Sequence, residues 1–225
     1  MNWEDECYLL SKRKFRENAN IINVFSQSKG KVSGLVYGGN SRKIRNYLQI
    51  SNKLFVSHNT KNENRLGYFK TELIKPISPL YFDDKKRTSA LVSLCSMLNI
   101  LLPEAQPNIN IYNSLEEFIN SIYLENWIIL YIFFELSLIK DLGYDTNLGK
   151  FKDKISNSDV IDIKIDSYTY KVPVYLILKK LPEHKSSLLI KKSLYFTRSI
   201  IQNKFFIPNN LSFPKSRIIL ENYFN

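Results

Sequence analysis

The stretch KVSGLVYGGNSRKIRNYLQISNKLFVSH, Lys31 to His58, changes character twice. KVSGLVY is short, rich in β-branched residues and closed by a glycine pair, which reads as a strand running into a turn. SRKIRNYLQ has few β-formers, follows Gly38 and Gly39, and opens on Ser41, a residue able to cap one or two helical turns. KLFVSH then returns to strand. Similar segments surround it: CYLLS and NIINVFS before, LGYFKTEL after, each set between polar loops. Five strands with a helical segment between the third and fourth is the layout of an OB-fold, a Greek-key barrel that commonly binds oligonucleotides over one face and its loops.

Charge gives that layout a direction. The chain of 225 residues carries 32 Lys and Arg against 21 Asp and Glu, a net charge of +11. Residues 1–78 hold 14 basic and 6 acidic side chains, net +8, and the remainder nets only +3. A polyanionic or acidic partner for the N-terminal part is the physical implication. In the barrel reading Lys12, Arg13, Lys14 and Arg16 gather around Phe15 in the first loop, and Lys29 and Lys31 flank Gly30. The third loop carries Arg42, Lys43 and Arg45, and the fourth Lys61 and Arg65. These basic residues are the expected DNA contacts. Gly38 and Gly39 allow a tight turn and a close approach of phosphate to backbone; a strand-ending turn before a solvated helix face fits the same residues. Phe15, Tyr37, Tyr47, Phe55, Tyr68 and Phe69 are candidate platforms for unstacked bases, although a small barrel needs most of them for its core.

After IKPISP, whose Pro76 and Pro79 read as a linker, the pattern becomes helical, so the expected division is an OB domain at 1–78 and a helical domain at 79–225. Asp83 and Asp84 can cap a helix in which Leu91, Leu94, Cys95, Leu98, Leu101 and Leu102 recur at three- and four-residue spacing until Pro103. SLEEFINSIY continues in this manner. ENWIILYIFFELSLIKDLG is apolar all round, as a central helix ending at Gly143 would be. SSLLIKKSLYFTRSIIQNKFF is amphipathic, with Leu189, Ile190, Leu194, Ile201 and Phe205 inward, and PKSRIILENYF is a last short helix. Residues 144–182 differ: DVIDIKID alternates strictly and predicts a half-exposed strand paired with YKVPVYLIL in a small β-hairpin. The fold class is α+β with two domains.

Several chemistries lack the residues they need. The N-terminus MNWEDECYLL has no secretory signal, and the longest apolar run, Trp127 to Phe134, is far short of the ~20 residues of a membrane span, so a cytoplasmic protein without a membrane partner is expected. Cys7 and Cys95 make no disulfide framework, and with His58 and His184 they supply no zinc site at any usual spacing. No glycine-rich phosphate loop leads into a lysine. The one foothold for catalysis is Asp162-Ile163-Lys164, the Asp-x-Lys core of a metal-dependent nuclease motif with Asp145 or Asp153 upstream, though a strand's wet face explains the same residues. No catalytic residue, metal or cofactor is assigned.

The order of these segments resembles the RecO family of bacterial DNA repair and recombination proteins, in its proteobacterial form. The resembling stretches run from Trp3 to Asn52, with LGYFKTELI, LCSMLNILLPEAQP, ELSLIKDLGY, LYFTRSII and FPKSRIILENYF. Glu17-Asn18, Gly38-Gly39-x-Ser41-Arg42 and Leu102-Pro103-Glu104 fall in the family's order. The resemblance implies an N-terminal OB-fold and a helical C-terminal domain. It also implies binding of single- and double-stranded DNA, annealing without nucleotide hydrolysis, and nucleoid association in the DNA damage (SOS) response. The implied partners are RecR, in some members RecF, and the acidic tail of the single-strand-binding protein, all serving to load RecA. Many relatives bind zinc after a step matching Gly143-Tyr144; here the first expected cysteine falls near Phe151 and the rest are missing. For an acidic tail with an apolar end, Lys191, Lys192, Arg198 and Lys204 suit the rim of a groove on charge alone, although a solvated helix face explains the same residues better. The competing class is a protein–protein adaptor with only general affinity for nucleic acid.

Overall fold

The computed structural model describes residues 2–60, 66–156 and 158–224. Five strands, β1 (Trp3–Arg16), β2 (Ala19–Ser26), β3 (Gly30–Tyr37), β4 (Lys53–Asn59) and β5 (Gly67–Lys75), close into a barrel in the order β1-β2-β3-β5-β4. α1 (Arg42–Tyr47) lies between β3 and β4. This is the OB topology. β1 serves two neighbours: Trp3 to Tyr8 pair with β4, and Cys7 to Arg16 with β2, across a register shift between Leu9 and Ser11 that lets the strand bend. Closure comes from a short parallel contact in which Gly34 and Leu35 face Gly67 and Tyr68.

Alternation fills the barrel. Cys7, Leu9, Ile22, Val24, Val36, Leu54, Val56 and Phe69 form its core together with Leu48 from the end of α1, and Ile44 and Tyr47 pack against them. Gly34 is required by packing, because a Cβ there would lie 2.5 Å from the Phe69 ring. The opposite pleat of the strands is covered too: Tyr8 and Phe25 are buried, with the Tyr112 ring 5.6 and 5.5 Å from theirs. Both cysteines are free and buried, and burial pushes the Cys95 thiol up to about 12, so neither is a reactive thiolate.

Two expectations about this region are corrected. Lys12 to Arg16 belong to β1, not to a loop, because β2 supplies backbone partners as far as Ala19 and the ladder outweighs the low β-propensity of a charged run. The proline stretch is no loose linker either. Ile77 is buried, and its N–H and that of Ser78 donate to Asn52 Oδ1 at 2.8 and 3.0 Å.

The chain forms two compact units, Met1–Tyr112 with Pro214–Arg217, and Asn113–Phe213 with Ile218–Asn225. The first includes α2 (Lys85–Leu101), capped by Asp84 as its sequence predicts. α3 (Ile109–Ser121) starts ahead of the expected segment, since Asn108 Oδ1 accepts from Ile111 N–H and caps it. In the second unit α4 (Trp127–Asp141) packs on α3, with the Phe118 ring 5.7 Å from Tyr131, and ends in a left-handed Gly143. α6 (Ser187–Ile201) joins α4 through Thr197, which donates to Glu135 Oε2 at 2.5 Å, both buried. A π-turn, Gln202–Phe206, then shifts the phase by one residue, so that Phe206 rather than the expected Phe205 is buried. α7 (Lys215–Asn222) is the last helix.

The expected hairpin is present as β6 (Val160–Ile165) and β7 (Tyr168–Pro173), but VYLIL after it is helix α5 (Val174–Leu178), because Pro173 ends the ladder and starts a helical turn. At the position of the first expected cysteine, Phe151 lies under the Lys154 ammonium at 5.6 Å, and no group of three or more His, Cys, Asp or Glu among the described residues is placed to hold a metal. A polar clamp fastens the hairpin turn instead. Asp166 accepts from Tyr144 Oη at 2.7 Å and from Lys204, whose ammonium sits 4.4 Å from the Tyr144 ring centre.

The hydrogen bonds from Lys204 and Tyr144 lower the Asp166 carboxyl, and the bond to Asp166 raises the Lys204 ammonium. A lowered carboxyl contributes stability above its ordinary value of about 3.9 that is lost as pH falls through its folded value. A raised ammonium contributes below about 10.4 and is lost as pH rises through its own. Hydrogen-exchange protection of the β6–β7 amides is therefore expected to stay level between about pH 5 and 9, to fall in acid, and to fall again in strong alkali as Lys204 loses its proton. Asp166→Asn, which tolerates the left-handed backbone at this position, is expected to remove the acid dependence; a protection change centred near neutrality would reject the clamp.

Candidate nucleic-acid interface

The glycine turn and the β1–β2 hairpin are built as one corner. Gly38, at φ +68, donates its N–H to Asn18 O at 2.6 Å, a conformation that suits glycine. Gly39 is needed for a different reason: a Cβ there would lie 2.5 Å from Asn20 Nδ2. Asn20 Nδ2 donates to Asn40 Oδ1 at 3.2 Å, and Asn40 Nδ2 to Glu17 O at 2.6 Å. The end of β1 and the start of α1 are thereby held together, with Ser41 Oγ capping α1.

A lysine ties β1 to α1 at this corner. Lys12 Nζ donates to Leu48 O at 2.7 Å, satisfying a carbonyl at the end of α1. Burial first, and the positive charge of Arg45 second, hold the Lys12 ammonium below its ordinary value. Lys12 thus feels the positive charge of Arg45 from a separate element, a repulsion that an anion relieves. Arg13, Lys14 and Arg16 at the end of β1 and Arg42, Lys43 and Arg45 on α1 are all exposed.

Three of the six candidate aromatics are exposed with them. Tyr37 and Tyr68 stand at the β3–β5 contact with rings 6.4 Å apart, 65% and 40% exposed. Phe15 is 48% exposed beneath the Arg16 guanidinium at 5.3 Å. Phe69 is core, Tyr47 donates to Thr71 O at 2.6 Å, and Phe55 is half-buried. The outer face beside the corner is a trough of two adjoining depressions. One, of about 490 Å³, is lined by Lys12, Arg13, Ile21, Asn23 and Ser33; the other, of about 530 Å³, by Trp3, Lys29, Val32 and His58. Ser33 and Leu66 line both.

The remaining expected contacts do not join the corner. Lys29 is exposed at the β2–β3 turn, at the far end of the trough. Lys31 is 8% exposed; its ammonium donates to Asn99 O at 2.9 Å and pairs with Glu104 at 3.2 Å, so it ties α2 to the barrel. Lys61 and Arg65 lie outside the described residues. His58 is buried and stacked on Trp3, and neither residue is marked out by its sequence neighbours; pairing of Trp3 with His58 across β1 and β4 is what joins them.

The second unit has its own charged groove, about 500 Å³, between β7 and α6. Tyr168, Lys171, Leu188, Lys191, Lys192 and Tyr195 line it, with no carboxylate among its lining residues. Lys191 and Lys192 on α6 and Lys171 on β7 are its cations. Arg198 is instead paired with Glu221 at 3.1 Å and Lys204 with Asp166. Asp162 and Lys164 are exposed on β6 and alternate with buried Ile163 and Ile165, the pattern of a wet strand face.

The family model described as the N-terminal part of recombination protein O matches residues 1–77, which hold the barrel, and that of the C-terminal part matches residues 83–150. The DNA repair protein RecO of Ehrlichia chaffeensis is 33% identical over 190 residues, 81% of this chain and 77% of the relative. Those of Cereibacter sphaeroides and Wolbachia pipientis are 30% identical over 150 residues and 32% over 152, covering 67% of this chain and 63% and 62% of the relatives. No helix among the described residues is long and apolar enough to cross a membrane. An OB barrel with a basic corner, followed by helices and a hairpin, matched along most of its length by proteins of one name, places this chain in the RecO family of DNA repair proteins.

Proposed function

We propose that this protein is a DNA-handling mediator of recombinational repair that holds single- and double-stranded DNA by its phosphates and anneals complementary strands without nucleotide hydrolysis. The observation that carries the reading is the corner where Lys12 ties β1 to the end of α1, with Arg13, Lys14 and Arg16 exposed on β1 and Arg42, Lys43 and Arg45 exposed on α1. Exposed lysine and arginine neutralise phosphates and read no base edges, so bound strands keep their pairing faces free. Residues 1–78 are the nucleic-acid-binding domain in this reading. Lys29 continues the interface along the trough, and Lys61 and Arg65 belong to it by charge alone.

The family resemblance supports RecR, and in some settings RecF, as partners in loading RecA. For the acidic, apolar-ended tail of the single-strand-binding protein, the groove between β7 and α6 supplies what such a peptide needs: Lys171, Lys191 and Lys192 beside exposed Leu188 and Tyr195. The same groove favours a second reading, an adaptor whose chief ligand is protein. Purified protein is expected to accelerate annealing of complementary oligonucleotides by itself. Acceleration that requires added partners would make adaptor the correct description.

A further inference from the structure

The depression at the far end of the trough differs from the basic corner in having an apolar wall and an aromatic ring held in place. Trp3, Val32 and Leu66 form the wall, and Lys29 stands at the rim. The indole of Trp3 is fixed from behind: His58 stacks on it at 5.0 Å with an interplanar angle of 25°, and Phe69 meets it edge-on at 6.0 Å. Gly67 makes this stack possible, because a Cβ there would lie 2.0 Å from His58 Nε2. A preorganised ring loses little freedom when a second flat group settles against it. Glu104, the carboxylate on this rim, is neutralised by Lys31 at 3.2 Å. The depression opens through Ser33 and Leu66 into the part of the trough that reaches Arg13, so its occupant is a portion of something longer.

We infer that this depression is a nucleobase subsite: one base unstacked from a bound single strand lies against Trp3 while an adjoining phosphate meets Lys29. The inference rests on reading the trough as a single-strand interface, and it adds a contact that duplex DNA, with its bases stacked inside, does not make. Single strands therefore gain over duplex at this subsite alone, and Gly67 and His58 act as positioning residues for the ring.

The chain has two tryptophans, and Trp127 is buried in the second unit, 6.4 Å from the Phe224 ring. Titration of the full chain with an oligo-dT strand is expected to quench tryptophan emission saturably. An abasic strand of equal length, or a duplex, is expected to bind by fluorescence anisotropy yet leave the emission unchanged. Trp3→Leu is expected to abolish the quench and weaken single-strand binding roughly tenfold, with the salt slope retained because no phosphate contact is lost. In case that variant folds poorly, photocrosslinking of the unaltered chain to iodouracil-substituted strands is expected to label Trp3. Binding by anisotropy with neither quench nor crosslink overturns the subsite and leaves the basic corner standing. Failure of every strand to bind overturns both.

Discussion

Replacing Arg42, Lys43 and Arg45 together by alanine is expected to weaken single-strand binding about a hundredfold at 0.1 M salt. Each phosphate contact releases counterions worth a slope of about 0.7 in the log–log dependence of affinity on salt, so three lost contacts flatten it by roughly 2. Binding to every sequence falls alike, because these residues position phosphates. The fold survives: all three side chains are exposed, alanine favours helix, and Ile44, Tyr47 and Leu48 keep α1 seated on the barrel core. Removing Arg45 also lets the Lys12 ammonium rise towards its ordinary value, which tests the proximity independently. Anisotropy titrations between about 50 and 300 mM salt read the slope, and an unchanged slope rejects the corner as the interface.

The largest expected loss of stability comes from a residue with no part in binding. Asn52 is fully buried; its Oδ1 accepts from Ile77 and Ser78, and its Nδ2 donates to Tyr47 O at 2.9 Å. One amide thus joins the end of α1, the start of β4 and the chain leaving β5. Asn52→Ala strands these groups, at about 1–3 kcal/mol for each one left buried without a partner, so a total of roughly 3 kcal/mol or more is expected. Urea unfolding followed by circular dichroism measures it. The salt slope of DNA binding below the transition is expected to stay as it was, since no cation is touched. A midpoint within error of the unaltered protein would show that water or neighbouring groups replace Asn52 there.

Some of this was legible in the chain itself. The strand–turn–helix–strand order of Lys31 to His58 announced the barrel because periodicity changes where secondary structure changes, and Asp84 and Gly143 marked helix ends through local chemistry. The basic stretches that form the corner were visible as charge. Lys31 misled, since a lysine's sequence neighbours say nothing of a carbonyl on α2 and a carboxylate beyond it. Asn52 and Trp3 stayed silent for the same reason: each matters through partners distant in the chain.

Sequence alone therefore determined the order of elements, the excess of positive charge in the first third and the absence of a cysteine set for zinc, all properties of neighbouring residues or of composition. Tertiary structure decided which of those charges act together. Closure of the barrel brought β1 against α1, tied Lys12 to the end of that helix, withdrew Lys31 into the fold and stacked His58 on Trp3. The physical reason is that pairing register and burial fix where a side chain points, and both depend on contacts between residues far apart in the chain.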